Sequence, residues 1–80
     1  MSDDQWMEAA LREATKALRR GEVPIGAVVV KDDRVVGRGY NRVESRSCAT
    51  AHAEIVAIES ASRKLGDWRL DGCSVYVTVE

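Results

Sequence analysis

The run Ile25-Gly26-Ala27-Val28-Val29-Val30 carries no polar side chain and follows directly on Pro24. A strand that is apolar at every position is covered on both faces, so it belongs inside a layered fold. Pro24 suits the opening of such a strand, where a missing N–H is tolerated. Two amphipathic segments can do the covering. Residues 3–20 read as a helix, with Trp6, Met7, Ala10, Leu11, Ala14, Ala17 and Leu18 recurring at helical spacing. Ser2 and Gln5 fit a capping box, Arg19 and Arg20 suit the negative end of the helix dipole, and Gly21 stops the helix. Residues 51–65 read as a second helix capped by Thr50, with Ile55, Ile58, Ala61 and Leu65 down one side and Gly66 past its end.

The polar turn Lys31-Asp32-Asp33-Arg34 leads from the apolar run into a second strand at 35–40. The pair reads as a hairpin, although the turn lacks the Asn-Gly signal. Gly37 and Gly39 weaken that strand and point to a bulge or a close backbone approach. Residues 73–79 form a third strand with Val75, Val77 and Val79 on one face. The expected class is α/β in the order α-β-β-α-β, a three-layer α/β/α core that leaves a sheet edge and apolar surface open.

At 80 residues the chain is one domain, and short enough that its stability is expected to be marginal. Lys+Arg 12 against Asp+Glu 13 gives a net charge of −1, so nucleic-acid binding would need a local patch. No run of ~18 apolar residues is present, which excludes a membrane helix. The acidic start Ser2-Asp3-Asp4 is unlike a signal peptide, so a cytoplasmic location is expected. Two cysteines and one histidine are too few for a disulfide scaffold or a histidine-rich metal site.

The chemistry concentrates at Thr50-Ala51-His52-Ala53-Glu54, at the start of the second helix. In mid-helix, residues two apart diverge by ~200°. At a helix mouth His52 and Glu54 can instead flank one pocket, next to free N–H groups and the positive dipole end. A neutral imidazole can hold zinc while a carboxylate outside the metal shell moves protons. His-x-Glu followed by Pro-Cys-x-x-Cys is the signature of zinc nucleobase deaminases. By itself a His-x-Glu pair is commonplace, and most such histidines make an ordinary hydrogen bond.

The stretches GEVPIGAVVV, GRGYNR, TAHAEI, LGDWRL and VYVTVE, in that order, supply the context. Together they resemble the bacterial tRNA adenosine deaminases of the cytidine deaminase-like fold, over essentially the whole chain. The resemblance implies that residues 1–80 are the N-terminal portion of a single zinc-dependent deaminase domain. It implies that His52 is a zinc ligand and Glu54 the general acid/base. Asn41 would hydrogen-bond the target base, Ile25 would wall its pocket, and the Ala53 N–H would meet a base ring atom. The reaction implied is attack of zinc-activated water on C6 of adenine, giving inosine in the tRNA anticodon loop. Commonly such enzymes are homodimers.

Two departures stand out. Cys48-Ala49 occupies the place of an Asp-Pro pair, which removes a rigidifying proline. The family continues from its VTVE strand into Pro-Cys-x-x-Cys, whose cysteines are the other two zinc ligands, whereas this sequence reaches Glu80 at that point. With one zinc ligand of three, the chain is expected to be inactive alone. Cys48 and Cys73 are the alternative sulfur donors, but ordinary reduced thiols explain them better. Arg34, Arg38, Arg42 and Arg46 lie on and after the second strand; Arg42 and Arg46, beside Asn41, are candidate RNA contacts, with solvated loop charges as the plainer reading. Trp68 and Arg69 are expected to orient their connector, and Trp6 to be core. Two other readings remain open: a non-catalytic assembly module needing a partner chain or complementing C-terminal segment, and a deaminase of free guanine, cytosine or nucleosides.

Overall fold

The structure is a computed structural model that describes residues 3–43, 52–67 and 69–78. Its elements are α1 (Asp3–Arg19), β1 (Gly26–Lys31), β2 (Arg34–Tyr40), α2 (Ala53–Leu65) and β3 (Ser74–Val77). The apolar run forms the central strand of a sheet ordered β2-β1-β3, antiparallel to both neighbours. Val28 and Val30 on one face pack with Trp6, Ala9 and Ala10 of α1. Ala27 and Val29 on the other pack with Ala53, Ala57 and Ala61 of α2. The three-layer α/β/α arrangement is therefore present, with a helix on each side of β1.

Asp32 and Asp33 close the β1–β2 hairpin, both at positive φ (51° and 59°). That is the conformation of a primed two-residue turn, and Asp tolerates it well enough to replace Asn-Gly. Both expectations for Gly37 and Gly39 hold. The register shifts between Val29 and Val30, leaving Val36 as the extra residue of a bulge beside Gly37. A Cβ on Gly39 would lie 2.6 Å from the Ala53 carbonyl oxygen, and one on Gly37 2.7 Å from the Ala61 amide nitrogen. The α2 backbone thus rests directly on β2.

The helix faces match the expected ones in part: Trp6, Ala10, Ala14, Ala17 and Ala61 are buried and Ile58 and Leu65 pack on the core, while three large residues turn out. On α1, Leu11 (55%) and Leu18 (61%) are exposed, and the buried stripe is Trp6, Ala9, Ala10, Glu13, Ala14 and Ala17. On α2, Ile55 is 40% exposed, and Ala53, Val56, Ala57 and Ala61 are buried. The reason is the short helix–sheet distance. Where a strand glycine meets a helix backbone only alanine-sized side chains fit, so Leu11, Leu18 and Ile55 turn outward, while Ile58 and Leu65 pack at the margin of the α2-side core. The second helix begins at Ala53 with His52 as its N-cap, two residues later than expected. Gly66, at φ 69°, ends it and donates its N–H to the Ser62 carbonyl. The proposed caps Ser2 and Thr50, together with Cys48, Arg46, Trp68 and Val79, lie outside the described residues.

Val77 packs on the α2 side, whereas Val75 on the outer strand β3 is 44% exposed. The Tyr76 hydroxyl donates to Asp3 Oδ1 at 2.8 Å, which ties β3 to the first turn of α1. Accepting that hydrogen bond, the Asp3 carboxylate raises the Tyr76 pKa above its ordinary value. Among the described residues, no helix is long and apolar enough to cross a membrane.

Candidate functional site

The site lies at the end of the sheet where β1 begins and β2 ends. Gly26 pairs with Tyr40 there, and the chain leaves β2 directly into Asn41. The Asn41 N–H donates to the Ile25 carbonyl at 3.1 Å, extending the ladder by one more bond. On the opposite side Thr78 fastens the same end. Its N–H donates to the Gly26 carbonyl at 2.9 Å, and its Oγ1 accepts the Gly26 N–H at 2.9 Å. Both Asn41 and Thr78 are buried polar residues with hydrogen-bonded side chains, Thr78 to Gly26 and Asn41 to α2. Sequence reasoning missed Thr78, whose signal was a lone hydroxyl at the end of a valine-rich strand.

Asn41 also reaches across to α2. The Ala53 N–H, the first of the helix, donates to Asn41 Oδ1 at 3.0 Å. A buried helix-start N–H needs such a partner, and here it comes from a residue twelve positions away. This amends one expectation: the Ala53 amide assigned to a base ring atom is occupied by Asn41. Replacing Asn41 with alanine leaves that donor unpaired, a loss of about 1–3 kcal/mol. Asn41→Asp keeps an acceptor at a helix N-terminus and should recover most of it. Chemical denaturation of the two variants measures the difference; equal losses would show that the cap bond contributes nothing.

His52 stands beside this junction. Its backbone is extended (φ −78°, ψ 152°), its carbonyl accepts the Val56 N–H at 2.9 Å, and its side chain makes no cap bond. The divergence of residues two apart in a helix does not apply, because His52 precedes the helix while Glu54 lies in its first turn. His52 is exposed and Glu54 half-buried, and Ile25 is half-buried against the α2-side core. The structure therefore brings Ile25, Asn41, His52, Ala53 and Glu54 to one end of the sheet.

An exposed imidazole with no cap bond fits one position of a zinc shell. Among the described residues no three His, Cys, Asp or Glu side chains gather into a metal-binding group. Cys73 precedes β3 at the opposite end of the sheet, where Ser74 pairs with Val30. Five residues of strand, roughly 16 Å at 3.3 Å per residue, separate it from Thr78. Among the described residues His52 is the candidate donor at this end of the sheet, and no three-donor group forms around it.

Arg42 is held against Tyr40. Its guanidinium lies 4.5 Å from the ring centroid and donates to Tyr40 Oη at 2.7 Å, while Arg20 approaches the same ring at 5.9 Å. Such contacts fix a cation at the mouth of the site. Arg69 instead pairs with Asp67 on the connector, its N–H donating to Asp67 Oδ1 at 3.0 Å.

Residues 1–80 match the family described as the cytidine and deoxycytidylate deaminase zinc-binding region. The tRNA-specific adenosine deaminase of Aquifex aeolicus is 44% identical over 80 residues, which is 100% of this chain and 53% of that protein. A structure from work on A-to-I editing by tRNA:A34 deaminases superposes with a TM-score of 0.91 at 51% identity, covering 96% of this chain and 59% of the other. Guanine deaminase from Bacillus subtilis superposes with a TM-score of 0.93 at 36% identity, covering 100% of this chain and 52% of the other. The chain spans about half the length of the curated relatives it matches. With the fold, the helix-start histidine and the full-length family match in agreement, the chain belongs to the cytidine and deoxycytidylate deaminase zinc-binding family.

Proposed function

We propose that this chain forms the histidine half of a hydrolytic deaminase that converts adenosine to inosine in a tRNA anticodon loop. The observation that supports the proposal is the junction of Asn41 with the first amide of α2, at the helix start that carries His52 and Glu54; there Asn41 would read the base. With Oδ1 engaged by Ala53, Asn41 offers its Nδ2 donors to the acceptor edge of a base. Ile25 supplies an apolar wall. His52 would be one zinc ligand, and zinc in a complete shell supplies a water of lowered pKa. Glu54 would take a proton from the water that adds at C6 and deliver it to N1, then take the second proton from the resulting C6 hydroxyl and pass it to the amino group, which leaves as ammonia. Arg42, braced on Tyr40, and Arg46 would meet the RNA backbone.

The higher identity to tRNA-specific relatives favours RNA over a free base, although the superposition on guanine deaminase keeps free guanine as the second reading. A tRNA-modifying role would place the protein in the cytoplasm. A homodimer or a complementing C-terminal segment would cover the open β3 side, where Val75 is exposed. The deciding assay incubates zinc-loaded protein, extended to the length of its relatives, with an anticodon stem-loop, free guanine and cytidine. Inosine in the stem-loop is the expected result; xanthine from guanine alone would transfer the assignment. Residues 1–80 by themselves should yield no inosine, and activity from them would overturn the need for further zinc ligands.

A further inference from the structure

The free edge of β2 is lined with positive charge along its whole length. β2 is an outer strand of the sheet, and α1 and α2 rise on either side of it. A cavity of about 270 Å³ spans this edge near the site end, bordered by Lys16, Arg38, Tyr40, Arg42 and Arg63. The next hollow shares Arg38 with it and adds Lys64, and a third continues from Lys64 to Arg34. Among the described residues lining the three, Glu13 is the one carboxylate, and it already accepts a hydrogen bond from Lys16 Nζ at 2.7 Å. The strip is thus strongly basic in a chain whose net charge is −1. It stops at the Asp32–Asp33 turn.

We infer that this β2 edge is a second contact surface for the phosphodiester backbone of the RNA, running from the base pocket toward the hairpin turn. The inference rests on the tRNA reading and extends it to a surface away from the base. Three features favour a polyanion over a single small anion. From Arg34 to Tyr40 the strand covers roughly 20 Å at 3.3 Å per residue, a span that would take several nucleotides at about 3.4 Å each. The cations follow one another along that span and do not converge on one point. The strip also opens at Arg42, which immediately follows Asn41, so a strand leaving the pocket meets it first. On this edge the Arg38 N–H donates to Ser60 Oγ at 3.5 Å.

The test is the salt dependence of binding of a labelled anticodon stem-loop RNA to the full-length protein, compared with the double variant Arg38→Gln/Arg63→Gln. Removing one cation that neutralises a phosphate should lower the slope of log K against log salt by about 0.7–0.9, so the double variant should lose roughly 1.4–1.8. Arg12→Gln/Arg19→Gln on α1, outside the strip, should leave the slope in place. Circular dichroism checks that both variants are folded. An unchanged slope in folded Arg38→Gln/Arg63→Gln protein, or an equal loss in the α1 control, would overturn the inference. Inosine formation by the unsubstituted protein is read separately. A protein that makes inosine without the slope change loses only the strip, whereas a slope change without inosine retains the strip and loses the deaminase reading.

Discussion

Replacing Glu54 with glutamine is expected to lower inosine formation by roughly 10²- to 10⁴-fold, the usual contribution of a positioned general acid/base. The substitution keeps the size of the side chain and its place in the first turn of α2, and removes only its capacity to carry a proton. Glu54 is half-buried on the helix and forms none of the contacts that close the site end of the sheet, which run through Asn41, Ala53, Gly26 and Thr78. Stability and zinc content should therefore stay at parent values. His52→Ala separates the roles, because it should lower zinc content and activity together. Two results would sink the assignment: a glutamine variant within tenfold of the parent rate, or one that loses its zinc along with its activity. In the second case Glu54 would belong to the metal shell.

The central strand and the layer order could be read from residues 25–30 because burial on both faces leaves only apolar side chains, a constraint local enough to survive in one short run. The helix faces could be read only in part: the alanines, Trp6, Ile58 and Leu65 point inward as expected. Leu11, Leu18 and Ile55 carry the largest hydrophobic weight in their segments, so periodicity alone turns them inward, yet all three are exposed. What decides the faces is the distance between layers, and that is set by pairs far apart in sequence. Gly37 and Gly39 lie two residues apart, about 6.6 Å along a strand. Ala53, Ala57 and Ala61 recur every four, about 6 Å along a helix. The two small-residue ladders match in pitch, and so α2 sits down on β2. The signal was visible as spacing and needed both segments to be compared. The candidate site was legible as residue types, in His52, Glu54 and Asn41. Its wiring was not, because the Asn41–Ala53 bond bridges a twelve-residue separation that no local pattern specifies.

The same logic makes Gly26 the most closely contacted of the glycines. A Cβ there would collide with the Ala10 carbonyl oxygen and the Ala14 amide nitrogen, and would come within 2.7 Å of Glu13 Cβ. The first two are backbone atoms of α1, which cannot rotate aside as a side chain would. Gly26→Ala must push the helix off the sheet or bend β1. Overpacking ordinarily costs 1–3 kcal/mol, roughly, where side chains can adjust. Here the loss should exceed about 3 kcal/mol, a large part of the 5–15 kcal/mol, approximately, that a small domain has in total. Function would go with it, since Gly26 holds Thr78 and pairs with Tyr40 next to Asn41. Gly21→Ala supplies the comparison: no atom lies within 4 Å of a Cβ there, and its φ of 73° leaves only the left-handed penalty, about 1–2 kcal/mol. Urea midpoints for the two variants test the ordering. A Gly26→Ala protein as stable as Gly21→Ala would mean that α1 is free to retreat and that the close helix–strand contact does not set the geometry of the site.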